Sequence, residues 1–124
     1  MIIDNSKIFL NGIYGDATVT VAANTTLKKG TVLGLNASDE LVAYSTDLDN
    51  AGSSFVAEPT YILAQDLVNN TSAAIDYDLV RVFESGEVDA AGVVFVKPDD
   101  ANNAQVLAKM KNNGFHLCNV QQMS

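Results

Sequence analysis

Hydrophobic positions along this chain fall in short runs separated by Gly, Asn, Asp and Ser, the pattern of strands joined by turns rather than of long helices. The runs predict strands over 7–10, 18–22, 31–35, 41–44, 61–67, 78–83, 93–96 and 115–120. In one of them Val19 and Val21 alternate with Thr18 and Thr20, so a period of two puts the valines on a core face and the threonines on a wet one. One segment changes period. After Pro98-Asp99-Asp100, the residues 101–113 carry Val106, Leu107 and Met110 at helical spacing, with Gly114 just beyond. This predicts a helix whose first amides Asp99 or Asp100 cap, whose negative end Lys109 and Lys111 complement, and which Gly114 stops in a left-handed conformation. The fold class is therefore mainly β, a small β-rich domain with one short C-terminal helix.

Two stretches stand apart. Residues 45–59 are rich in Asp, Asn, Ser, Gly and Ala, too long for a simple turn, and form a candidate contact loop. The first sixteen residues hold Ile2, Ile3, Ile8, Phe9, Leu10, Ile13 and Tyr14, where termini are usually polar, so this segment needs a hydrophobic partner. It is either a first strand packed on its own domain or an arm, residues 1–16, that docks elsewhere while 17–124 form a single domain.

At 124 residues there is room for one domain, with about two-thirds of the unfolded surface removed from water on folding. With 48% hydrophobic and 18% charged residues, the composition is that of a globular domain and not of a disordered chain. Seven basic against fifteen acidic residues leave a net charge of −8, which repels both a nucleic-acid backbone and an anionic membrane and leaves proteins as the favoured partners. The single Cys118 forms no internal disulfide, no secretory signal is visible, and no run approaches the ~20 apolar residues of a membrane span. Synthesis in a reducing cytoplasm fits.

Candidate chemistry is sparse. His116 and Cys118 share one face of a predicted strand, but a closed zinc site needs about four ligands and there is no second His or Cys. No Gly-x-Ser-x-Gly elbow accompanies His116. Asp47, Asp49, Gly52 and Glu58 match positions of a calcium loop, yet Ala51 fills a ligand position and Pro59 follows directly, which reads as a solvated acidic loop. Residues 26–33 resemble the turn into a strand of biotinyl and lipoyl carrier domains, but Lys109 and Lys111 sit in a helical segment and not on the hairpin a modified lysine requires. No Gly-rich phosphate cradle follows a strand. The expectation is a chain with no catalytic residue, metal or cofactor.

The order of short motifs is more specific. An apolar strand at 31–35, a turn at 36–40, the strand Leu41-Val42-Ala43-Tyr44, a polar loop through 47–52 and the strand Ile62-Leu63-Ala64 with Asp66 just after come first. Then follow 79–83, the Ser85-Gly86 turn, 93–96 running into Pro98, a short helix, Gly114 and a last strand ending at Val120. In this order the chain from Gly30 onward resembles the head decoration proteins of lambda-type tailed bacteriophages, although Thr60-Tyr61 stands where a small residue and a glycine precede the isoleucine in that family.

The resemblance implies a compact, β-tulip-like fold without catalytic activity. It implies a homotrimer on the capsid exterior at three-fold and quasi-three-fold positions, with the major capsid protein as partner and neither nucleic acid nor membrane. It also implies an N-terminal arm that adds a strand to the shell, here apolar through Ile2, Ile3, Ile8, Phe9, Leu10, Ile13 and Tyr14. Removing residues 1–14 is then expected to leave a folded protein that no longer decorates. The alternative is another virion surface module, a fibre base or a β domain that binds host glycans, for which the absence of Trp offers little aromatic material. A biotinyl- or lipoyl-like carrier comes third.

Overall fold

A computed structural model describes residues 9–48 and 57–118. The predicted arm residues Ile2, Ile3 and Ile8, the loop residues Asp49, Ala51 and Gly52, and the strand end at 119–120 lie outside them. The protein is mostly β with one helix near the C-terminus, as the hydrophobic pattern predicts. Its strands are β1 (Phe9–Val21), β2 (Thr25–Leu27), β3 (Val32–Leu35), β4 (Leu41–Ala43), β5 (Pro59–Leu63), β6 (Leu67–Asn69), β7 (Ile75–Asp89) and β8 (Phe115–Cys118), and its helix is α1 (Ala104–Asn112).

The main sheet runs β1-β7-β5-β3-β4, antiparallel throughout, and β8 extends it by pairing parallel with the far end of β7. β2 and β6 form a separate two-stranded ribbon. The sheet curls so that its edge strands β1 and β4 approach each other. Inside the curl lie Val19, Val21, Leu27, Leu33, Leu41, Leu63, Leu67, Val80 and Val82. The opposite face packs Val32, Ile62, Phe83 and Val88 against Val106 and Met110 of α1 and Phe115 of β8. Alternation along the strands explains the two cores: Val80 and Val82 enter one, and Phe83, the next residue after Val82, enters the other.

Several predicted elements change their bounds for identifiable reasons. The described part of the strand expected at 7–10 and most of that expected at 18–22 belong to one long strand, β1, because β7 opposite is continuous from Ile75 to Asp89. Ser85-Gly86, read as a turn, lies inside β7. The strand expected over 61–67 is split, since the Gln65 side-chain Oε1 accepts the Arg81 N–H (2.9 Å) and an Asp66 carboxylate oxygen accepts the Lys29 N–H (2.7 Å), side chains taking the place of ladder partners between β5 and β6. Residues 93–96 contribute only the bridge of Val94 to Thr31.

The predicted helix divides into a 3-10 turn, Pro98–Asn102, and α1, and its cap is neither Asp99 nor Asp100. Asn103 caps it, the side-chain oxygen accepting from Gln105 N (2.9 Å) and Val106 N (3.3 Å). Gly114 follows at φ 94°, the left-handed stop the sequence predicts.

Candidate functional site

β1 and β7 form a two-stranded ribbon that is the longest element of the fold, and the sequence-predicted arm residues that are described all lie on its first half. Phe9 is buried, its ring stacked on Phe83 with centroids 4.6 Å apart and edge-on to Tyr14 at 5.7 Å. Leu10 lies in β1 beside it. Tyr14 meets Phe83 at 5.3 Å and is 39% exposed, and Ile13, on the other side of the strand, is 61% exposed. Thus Phe9 belongs to the core of this domain, whereas Ile13 and Tyr14 present apolar surface to water. Two cations lie over the nest: the Arg81 guanidinium is 4.5 Å from the Tyr14 ring centre and the Lys29 ammonium 5.8 Å from that of Phe9.

Further along the ribbon one face enters the core through Val19, Val21, Val80 and Val82, and the other is open to water. On the open face Thr18 Oγ1 donates to an Asp78 carboxylate oxygen (2.9 Å) and Thr20 Oγ1 to one of Asp76 (2.7 Å). Between Ala17↔Val80 and Val19↔Tyr77 the register slips: Thr18 alone stands opposite Asp78 and Leu79, a β-bulge. Leu79 takes φ 55° there and is 80% exposed. The sequence gives no sign of this, because a leucine flanked by alternating residues reads as a core position.

The loop expected over 45–59 is held at both described ends by the C-terminal segment. At its start the buried Asp100, 2% exposed, accepts from Thr46 N and Thr46 Oγ1, each at 3.0 Å. The Lys97 ammonium donates to Thr46 Oγ1 (3.1 Å) and pairs with Asp47 (2.9 Å), and Asp47 raises the lysine's pKa above its ordinary value. At the return, Lys109 Nζ donates to the Ala57 carbonyl (3.2 Å) and Asn113 Nδ2 to that of Pro59 (2.8 Å). Asp100→Ala strands the half-buried Thr46 amide and hydroxyl, so a loss of about 1–2 kcal/mol in a urea unfolding experiment is expected, with Asp100→Asn retaining part of the stability.

The remaining candidates are dispersed. His116 is exposed and Cys118 half-buried on β8, opposite Glu87 and Asp89 of β7, with the Cys118 sulfur 3.9 Å from a Glu87 carboxylate oxygen. Among the described residues no three His, Cys, Asp or Glu side chains gather as metal ligands would. Lys109 and Lys111 lie on α1. A shallow, open groove of about 330 Å³ between the β1 and β4 edges is lined by Thr20, Ala22, Leu27, Val42 and Leu48 among others, with no ionisable group. The exposed Ile13, Tyr14 and Leu79 of the ribbon offer contact surface. No known protein family and no curated protein matches this sequence at a significant level.

Proposed function

We propose that this chain is a structural virion protein that binds the outside of an expanded icosahedral capsid as a trimer at three-fold and quasi-three-fold positions and cements the head, with the major capsid protein as its partner. The observation that carries this reading is the order of motifs in the sequence from Gly30 to Val120, of which the structure keeps strands at Val32–Leu35, Leu41–Ala43, Pro59–Leu63 and Phe115–Cys118 and the helix, but not the Ser85-Gly86 turn or a strand at 93–96. A mostly β domain whose one helix lies between the Pro98 turn and the last strand is compatible with it. Attachment falls to the apolar N-terminal segment. An extended chain added to a sheet edge gains main-chain hydrogen bonds and places alternate side chains in pockets. Three such arms on one body raise avidity by about 10² to 10⁴ where the spacing of the sites matches. Binding then depends on shell geometry, and a cap that prefers the intact lattice to free subunits stabilises it by linkage.

The test is to mix purified protein with expanded heads and with compact precursors and image both by electron microscopy. Density at three-fold positions of expanded heads only is the expected result; equal occupancy of the two forms, or none on either, overturns the proposal. Because Phe9 stacks on Phe83, the truncation that probes the arm ends at Ile8 and not at Tyr14. Removing residues 1–8 is expected to preserve the melting temperature and reduce occupancy of expanded heads at least a hundredfold. Removing residues 1–14 also opens the aromatic nest and is expected to destabilise the domain by about 3 kcal/mol or more.

A further inference from the structure

We propose that copies of this chain associate head to tail, the open face of the β1–β7 ribbon of one copy, anchored by Leu79, seating on the Lys28-Lys29 and Val94/Val96 surface of the next. The anchor is the starting point. A branched side chain at φ 55° is strained, and 80% exposure leaves its apolar surface in water, so Leu79 stabilises the isolated domain in neither way. Glycine would relieve both burdens at this bulge. Leucine becomes favourable there only when something covers it.

Its surroundings specify the cover. Asp76 and Asp78 are held outward by Thr20 and Thr18, Asp16 lies on the same exposed face, and Arg81 is engaged with Tyr14 at the end of that face. Two such faces brought together would oppose carboxylate to carboxylate, which disfavours a symmetric contact. The complement occurs elsewhere on this chain. Val94 N donates to the Gly30 carbonyl (2.9 Å) and Val32 N to that of Val94 (3.0 Å), so residues 93–96 run beside the 28–32 turn. Val93 and Phe95 pack on the core, which turns Val94 and Val96 outward, 38% and 48% exposed, alongside the exposed Lys28 and Lys29. One surface carries three carboxylates and Arg81 around an apolar anchor; the other carries Lys28 and Lys29, with one carboxylate, Asp66, on the Lys29 amide, and apolar ground beside them. Two different complementary patches on one chain make a heterologous contact, which closes into a ring when the rotation allows.

This deepens the assembly reading above by naming the contact through which a trimer would form, and its test uses no capsid. Sedimentation velocity of the full chain over a concentration series is expected to show self-association that weakens with added salt. Leu79→Gly is expected to melt at the same or a higher temperature while associating at least tenfold more weakly. A variant carrying Leu79→Gly and Asp78→Asn, and another carrying Lys28→Gln and Lys29→Gln, should each be monomeric, yet their equimolar mixture should form a dimer and stop there, since each supplies one intact patch. A wild-type chain that stays monomeric, a Leu79→Gly variant that associates like wild type, or a mixture of the folded double variants that remains monomeric overturns the proposal. Decoration of expanded heads by a chain monomeric in solution would defeat this contact and leave the capsid reading standing.

Discussion

Gly86→Ala is expected to lower the melting temperature by about 12 °C, the result of about 3 kcal/mol lost at roughly 4 °C per kcal/mol for a domain of this size. Gly86 and Gly12 face each other across the ribbon, and the Phe83 ring lies over both. A Cβ on Gly86 would stand 2.5 Å from the Gly12 Cα and 2.9 Å from the Phe83 ring tip, and would also collide with the Asn11 carbonyl, two of the three obstacles being backbone. Its φ of 131° adds strain that any other residue would bear. Gly12→Ala meets the Ser85 carbonyl and the same ring without that added strain, so it is expected to be destabilising but milder. At Gly15 a Cβ meets only the flexible end of Glu84, which can swing away, so Gly15→Ala is expected to change little. Thermal melts followed by circular dichroism rank the three; equal melting of Gly86→Ala and Gly15→Ala contradicts the close-crossing account.

Asn69→Ala is expected to cost about 3 kcal/mol, a large share of the 5–15 kcal/mol that holds a domain folded. Asn69 is 1% exposed at the end of β6. Its amide nitrogen donates to the carbonyls of Val21 (3.0 Å), Ala22 (3.1 Å) and Ala73 (2.9 Å), and its oxygen accepts from Thr71 N (2.9 Å) and Thr71 Oγ1 (2.6 Å). One side chain thereby ties the end of β1 to the turn that leads into β7, and its loss leaves buried backbone groups unpaired. Asn69→Asp retains both acceptors but faces a carboxylate to three carbonyl oxygens, so it is expected to be no more stable than Asn69→Ala. Urea midpoints at neutral pH decide it, and a midpoint of Asn69→Ala within error of wild type refutes the role assigned here.

The alternation at 18–21 was readable because it depends on one strand alone: Val19 and Val21 are buried, and Thr18 and Thr20 reach Asp78 and Asp76 on the wet face. The left-handed stop at Gly114 was readable for the same reason. What stayed hidden depends on a partner distant in sequence. Gly86 looks like a turn glycine until Gly12 is seen to cross it, and Asp100 looks like a helix cap until Thr46 occupies both its oxygens. The apolar start of the chain needed a hydrophobic partner, and for Phe9 that partner is Phe83 of the same sheet. Leu79 is the extreme case, since a bulge arises from the count of residues on two strands and neither strand alone reveals it.

The double clasp of the 97–113 segment on Thr46, Asp47, Ala57 and Pro59 fixes where the chain between Leu48 and Ala57 departs and where it comes back. With those ends anchored to side chains outside the connection, doubling its length costs only about 0.6 kcal/mol in closure entropy. An insertion between these two anchor points should therefore leave both clasps in place, which thermal melts of a chain with a lengthened connection would show.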